Sequence, residues 1–368
     1  MKKGGMDRSS WIAAGACMLL LVLYPKIVAH FYPPNPAAAK KTAAQTKSTN
    51  APTAPVAPTP SPNLVAKETL APGSIQRSGE EQTAVLENGS LRATFTTWGG
   101  GVRTLELIGH AGDPGEKVSL NRGSPDAIFE LRGWTPAGEG LPWVIEKSDA
   151  QEVVFTAKAQ TGGEIWLRRT FRLAGDYRLS LTQEVENRGN VPLALPSYAL
   201  AAGVGAPVHL KKDEENYLGA SWFTTDVTYT THKLPEFLPS NFLFLFPRPG
   251  KELVQSRDDR EVRWVAAKSQ FFALVLTAQD SPAAGAEARK VDLLGEVMRD
   301  GSGKVPAVEA WMKLAGFDLG VGAKHTRQFG LYAGPKEDWR LRSLAQSSSS
   351  PFCSRPFSGC RRPRRTKA

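Results

Sequence analysis

Three consecutive glycines, Gly99 to Gly101, lie within "LENGSLRATFTTWGGGVRTLELIG" and are the first residues whose type and spacing could do chemistry. A glycine-rich turn cradles phosphate when it follows a strand and opens a helix, because the helix N-terminal amides then face the anion. Here one strand pattern leads directly into another, and the Lys-Ser/Thr pair of a phosphate loop is absent. The glycines are therefore expected to form a tight, bulged bend between adjacent strands. The histidines His30, His110, His209, His232 and His325 show no zinc-ligand spacing. No G-x-S-x-G elbow presents a nucleophilic serine. The mixed-charge runs "KKDEEN" at 211–216 and "RDDREVR" at 257–263 read as solvated turns. Paired carboxylates for sugar hydrolysis are not readable from spacing in a sheet protein.

The elements that would position these residues are strands. "TAVLE" is followed by Asn88-Gly89, a strong hairpin signal, and then by "SLRATFTTW". "QEVVFTAKA", "EIWLRRTFRL" and "YRLSLTQEVEN" continue the pattern, the last with Leu179, Leu181, Gln183 and Val185 on one face. "DVTYTTHKL", "VRWVAAKSQFFALVLTA" and "AVEAWMKLAGFDL" follow. No stretch between residues 83 and 330 sustains a helical apolar stripe for four turns. The expectation is an all-β sandwich or barrel. A short helix is expected near "KEDWRLRSLAQ", with Trp339 and Leu341 or Leu344 packing back on the domain.

Composition narrows the partners. Of the formal net charge of +10, residues 1–62 carry +6 and residues 351–368 another +6, which leaves −2 for residues 63–350. The basic character belongs to the ends, and the middle makes no case for nucleic acid. Cys17, Cys353 and Cys360 all lie outside that middle, so it needs neither disulfides nor a cysteine metal site.

"SSWIAAGACMLLLVLYP" from Ser9 to Pro25 is uncharged and, extended through Tyr32, is long enough to span a bilayer as a helix over residues 9–32. Trp11, Tyr24, Phe31 and Tyr32 sit near its ends, and Lys2, Lys3 and Arg8 favour a cytoplasmic placement of residues 1–8, against which Lys26, Lys40 and Lys41 on the far side count. A cleaved secretory signal with a small-residue site near Ala37–Ala39 fits the same residues. A lipoprotein anchor at Cys17 fits less well, because the apolar run follows that cysteine. All three readings export the middle of the chain. Residues 33–66, rich in Pro, Ala and Thr, read as an extended linker that cannot fold alone.

Five stretches resemble, in order, the YidC/Oxa1 family of membrane protein insertases of Gram-negative bacteria. "MDRSSWIAAGACMLLLVLY" from Met6 is similar to the family's opening, and "LENGSLRATFTTWGGGVRTLEL" to the first strands of its periplasmic domain. "NYLGASWF" at 216–223, "VRWVAAKSQFFALVL" at 262–276 and "FGLYAGPKEDWRLRSL" at 329–344 resemble later motifs, the last ending the domain. The resemblance implies a large, twisted antiparallel β-supersandwich, mutarotase-like in fold, over residues 67–344. One N-terminal helix would tether it to the inner membrane. It also implies a protein that is not an enzyme and that inserts, folds and assembles inner-membrane proteins. The implied partners are nascent inner-membrane proteins, Sec translocon components and the lipid bilayer, without cofactor or metal.

After Leu344 the family continues into a membrane core, whereas residues 345–368 form a basic tail without a second apolar span. The expectation is a disordered tail, foreign or frame-shifted, on the amino-terminal part of an insertase that does not insert proteins alone. No catalytic, cofactor-binding or metal residue is assigned. The alternative is a membrane-tethered or secreted mutarotase-like protein that acts on or binds carbohydrate. Catalysis would need two imidazoles and a carboxylate converging in one cleft. Sugar binding would need exposed aromatics, which Trp98, Trp134, Trp143 and Trp166 could supply.

Overall fold

Alternation of apolar and polar residues builds strands such as 178–187 and 164–173, whereas 198–205 and 305–312 are apolar-rich and buried on both faces. The computed structural model describes residues 79–134, 140–160, 163–242, 246–258 and 260–336. The expected span over 9–32, linker over 33–66, tail over 345–368, Trp339 helix and three cysteines lie outside these residues, as do 67–78 and 337–344 of the expected domain. No helix among the described residues is long and apolar enough to cross a membrane.

The first strands are β1 (Thr83–Glu87), β2 (Leu91–Thr96), β3 (Gly101–Ala111) and β4 (Lys117–Leu120), which pair in order as a four-stranded sheet. The β1–β2 hairpin falls at Asn88-Gly89 as expected. Its turn is held by the Asn88 side chain, whose Oδ1 accepts from Ser90 N at 2.9 Å and Leu91 N at 2.8 Å. There follow β5 (Leu131–Arg132), β6 (Val144–Ser148), β7 (Val153–Gln160), β8 (Glu164–Leu173), β9 (Arg178–Asn187), β10 (Leu193–Leu195) and β11 (Tyr198–Gly205). A 3-10 turn over Lys212–Tyr217 precedes β12 (Gly219–Thr224) and β13 (Tyr229–Lys233), and another covers Leu234–Glu236. The remainder is β14 (Ser240–Phe242), β15 (Phe246–Arg248), β16 (Leu253–Gln255), β17 (Val262–Lys268), β18 (Phe272–Ala278), β19 (Gly285–Val297), β20 (Lys304–Leu314), β21 (Phe317–Leu319) and β22 (Lys324–Pro335).

A nine-stranded sheet in the order β13-β12-β17-β18-β22-β9-β8-β7-β6 forms one layer. The four-stranded sheet and a five-stranded sheet, β16-β19-β20-β11-β5, form the other. β11 and β20 pack on β17, and β1 packs on β6, β7 and β8. Pairing within the sheets is antiparallel, as in β9 with β22 and β11 with β20. The architecture is the expected all-β sandwich.

Between the layers lies an apolar core. Phe171 of β8 sits 5.0 Å from Phe95, 5.6 Å from Phe129 and 5.9 Å from Phe155, ring centre to ring centre. All four rings are fully buried, and each contributes about 1.5–3 kcal/mol by leaving water. The face expected on β9 is the buried one, and Gln183 lies on it among Leu179, Leu181 and Val185.

Candidate functional site

The triple glycine closes the corner between β2 and β3, where the pairing register shifts between Thr94 and Phe95. Gly99 and Gly100 take φ values of +89° and +58°, left-handed conformations that suit glycine. A Cβ on Gly100 would lie 2.3 Å from the Trp143 ring, and one on Gly101 would lie 2.0 Å from the Ile128 carbonyl oxygen. The bulged bend is therefore packed to its limit.

What holds the bend is Arg169. Strict alternation along β8 puts this residue on the inner face with Ile165, Leu167 and Phe171, and it is fully buried. Its Nη1 donates to the Gly100 carbonyl at 2.9 Å and the Gly99 carbonyl at 3.3 Å. Its Nε donates to Gln183 Oε1 at 2.9 Å, and the guanidinium lies 4.4 Å from the Trp143 ring centre. Burial pulls the Arg169 pKa down to about 9, with Tyr198 and Glu130 acting in the opposite sense. It remains a cation at neutral pH. The loop thus offers carbonyl oxygens to a cation, the reverse of the amide cradle that binds phosphate.

A second charged cluster, with no signal in the local sequence pattern, lies across the five-stranded sheet. On β19 and β20, alternation places Glu287, Arg289, Glu309 and Trp311 on the face turned away from the inter-sheet core. Arg289 Nε donates to Glu309 Oε2 at 2.8 Å, and Arg289 Nη2 reaches Asp126 Oδ2 at 3.3 Å. Arg132 Nη2 donates to the same Asp126 oxygen, and its guanidinium lies 4.0 Å from the Trp311 ring centre. Glu309 is fully buried, and Asp126 and Glu287 nearly so. Burial first, then Glu309 and Glu130, pushes the Asp126 pKa up to about 8. Glu309 is lowered, because Arg289 and Arg132 outweigh its burial. Glu130 links the two clusters: its Oε2 accepts from Ala127 N at 2.9 Å and stands where a Cβ on Gly99 would fall. The arrangement clamps the segment from Asn121 to Arg132 onto the five-stranded sheet.

The four described histidines occupy separate neighbourhoods. His110 lies 3.1 Å from the Tyr177 hydroxyl, His209 lies 3.1 Å from Asp113 and His232 lies 3.0 Å from Glu236. His325 stacks on Phe317 at 3.9 Å, and burial lowers its pKa. His30 lies outside the described residues. The two-imidazole cleft of the catalytic alternative is not assembled among these four.

Of the tryptophans considered for sugar binding, Trp134 and Trp143 are buried, while Trp98 and Trp166 are half-buried. Trp166 lines a groove of about 400 Å³ on the outer face of the nine-stranded sheet, beside Glu146, Arg168, Glu184, Arg188 and Lys324. Lys158 and Arg188 lie 4.1 and 4.2 Å from the Trp166 ring centre.

The run 211–216 is not wholly a solvated turn. Glu214 is buried and accepts from Val208 N at 2.7 Å and His209 N at 3.2 Å, satisfying amides that the chain takes out of water. In the run 257–263, Arg260 pairs with Asp226 at 2.6 Å.

A family model described as the YidC periplasmic domain matches residues 83–349. The membrane protein insertase YidC of Paracoccus denitrificans is 26% identical over 304 residues, covering 70% of this chain and 46% of the relative. That of a Jannaschia species is 26% identical over 159 residues, covering 39% of this chain and 25% of the relative. The chain spans less than half the length of these curated relatives. Among solved structures, a galactose mutarotase related enzyme from Lactobacillus acidophilus aligns at 10% identity and a TM-score of 0.44, covering 70% of this chain and 99% of that one. A putative aldose 1-epimerase from Escherichia coli K12 aligns at 13% identity and a TM-score of 0.40, covering 69% and 99%. The family match accounts for the sandwich as a YidC periplasmic domain and replaces the carbohydrate alternative.

Proposed function

Because the chain belongs to the YidC periplasmic-domain family, we propose that it serves membrane protein insertion as a non-enzymatic interaction domain on the far side of the bacterial inner membrane. The observation that carries this reading is the family match over residues 83–349, which takes in every strand of the sandwich. Insertion moves polar flanks through hydrocarbon, where each unsatisfied polar group costs several kcal/mol. A protein domain waiting at the exit face can engage such a flank as it emerges.

Residues 9–32, read as a single span, and 33–66, read as a linker, support the placement. As an extended Pro-rich segment at about 3.1 Å per residue, a linker of that length reaches up to roughly 100 Å, enough for the domain to sample the membrane around its anchor. The partners in this reading are nascent inner-membrane proteins, Sec translocon components and the lipid bilayer.

Photo-crosslinking tests it. A photoreactive residue is placed at exposed positions such as Val144, Tyr217, Leu294 or Val321. The full chain is then irradiated in its own membranes beside a translation-arrested inner-membrane protein. Adducts with the arrested chain or with translocon subunits are expected. Their absence, together with accelerated interconversion of sugar anomers by the purified chain, would overturn the reading.

A further inference from the structure

β13 ends the nine-stranded sheet among the described residues, pairing there with β12 alone. Its register with β12 is continuous over five residues, Tyr229 opposite Phe223 through Lys233 opposite Gly219. Thr224 N donates to Thr228 O at one end of the hairpin, and Leu234 N donates to Leu218 O at the other. Antiparallel parity then directs the main-chain groups of Thr230 and His232 toward β12, and those of Tyr229, Thr231 and Lys233 outward. Glu236 Oε1 accepts the Lys233 N–H at 3.0 Å. Among the described residues, the N–H and C=O groups of Tyr229 and Thr231 form the open part of the edge.

Sheet edges are ordinarily blunted by charge, proline or bulges. β6, at the opposite end of the same sheet, carries Glu146, Lys147 and a register shift between Ile145 and Lys147. β13, "YTTHK", has no proline and no bulge, and its lysine comes last. Beside it on the outer face lies a row of three aromatic rings. Trp264 stacks on Phe223 at 5.8 Å and lies 6.0 Å from Tyr229, which is 55% exposed.

Charge at this edge is one-sided. Glu236 is engaged by His232 and Lys251, and Asp226 by Arg260. The Lys268 ammonium sits 2.5 Å from Thr231 Oγ1 and 3.2 Å from the Tyr229 hydroxyl, and no carboxylate among the described residues pairs with it. Segments that cross a membrane to the outside are poor in Lys and Arg, because those residues are kept on the cytoplasmic side. Such a segment, extended and neutral or acidic, complements Lys268.

We infer that the β13 edge accepts, as an added strand, the extended translocated flank of a membrane protein in transit. Its main chain would pair with Tyr229 and Thr231, its apolar side chains would rest on the Tyr229–Trp264–Phe223 row, and its acidic groups would meet Lys268. Main-chain pairing is indifferent to sequence, which suits a domain that must meet many different flanks. The identity of the occupant rests on the insertion reading above.

The test uses the purified full chain in detergent. The probe is a fluorescein-labelled peptide of about 12 residues, the length of a long strand with some overhang. It is built from Val, Thr, Ala and Ser with two Asp and no Lys or Arg. A second version is N-methylated at alternate residues, which removes edge pairing but keeps every side chain. Saturable binding by fluorescence anisotropy is expected for the first peptide and at least tenfold weaker binding for the second. Hydrogen exchange of the Tyr229 and Thr231 amides should slow at least tenfold at saturation, while β22 stays unchanged.

Thr231→Pro removes one outward donor and leaves the β12 side of the ladder intact, so it should weaken binding at least tenfold. If that variant does not fold, the N-methylated peptide makes the same test on the unaltered chain. Lys268→Glu should weaken this peptide and spare one in which Asn replaces Asp. Equal binding of both peptide versions would overturn the inference. So would edge protection that rises with protein concentration alone, the mark of a second copy on the edge. Peptide binding without crosslinks in membranes would fault the insertion reading and leave the edge as a strand acceptor. Crosslinks without peptide binding would remove the edge and leave the insertion reading.

Discussion

Replacing Arg169 by Met keeps the stem of the side chain to about the position of Nε and removes the guanidinium with its cation. Three acceptors lose their donor inside the protein: the carbonyls of Gly99 and Gly100 and Oε1 of Gln183. Each buried acceptor left without a partner costs about 1–3 kcal/mol. The gain from no longer burying a charge works against this and is also several kcal/mol. Together the three acceptors cost about 3–9 kcal/mol, and after the offset the expected net loss is about 3–5 kcal/mol. For a domain of this size it corresponds to a fall in Tm of roughly 6–20 °C. Denaturant and thermal unfolding of the purified chain, followed by circular dichroism and tryptophan fluorescence, would read it. The Trp143 ring lies against the guanidinium, so its emission should shift even under native conditions. A loss below about 1 kcal/mol with unchanged emission would refute the idea that Arg169 holds the glycine corner.

Four further perturbations probe neighbouring parts of the molecule. Gly100→Ala meets both a φ of +58° and a Cβ position 2.3 Å from Trp143, so denaturant unfolding should show a loss of about 2–5 kcal/mol. Gly175→Ala, at φ +89° with open space around it, should lose only the backbone term of about 1–2 kcal/mol. Asp126 binds its proton more tightly when folded, at about 8 against an ordinary 3.8. Its contribution to stability therefore falls as pH rises from about 4 to 8. Asp126→Asn should flatten that slope, as compared by denaturant midpoints at pH 5 and pH 8. Val227, β-branched and 72% exposed, holds a φ of +67° in the β12–β13 turn, and Val227→Gly should raise stability by about 0.5–1 kcal/mol in the same assay.

The strands were legible because their period is local. Each alternating run named from the sequence contains a strand, and the face assigned to β9 is the one that is buried, Gln183 included. The bend at Gly99–Gly101 was legible because it joins two such runs. Arg169 was within reach of the same rule, since alternation in "EIWLRRTFRL" aligns it with Ile165, Leu167 and Phe171. A charge in such a run normally marks the solvent face, and that expectation hides it. The cluster around Asp126 was beyond local reasoning. Asp126 and Arg289 are 163 residues apart, and only the order of strands in the five-stranded sheet brings them together. Glu214 is hidden for a related reason: the amides that donate to it, of Val208 and His209, lie in an irregular segment with no period to reveal burial.

The central claim is that this chain serves membrane protein insertion, and the most direct measurement is made in the organism that encodes it. Its own copy is depleted, and a small inner-membrane protein is pulse-labelled and treated with protease from the outer side of the membrane. The account predicts that the translocated flank of the labelled protein becomes protected from protease as the chain is depleted, and that restoring the chain restores cleavage. Cleavage that stays at its starting level throughout depletion would contradict it.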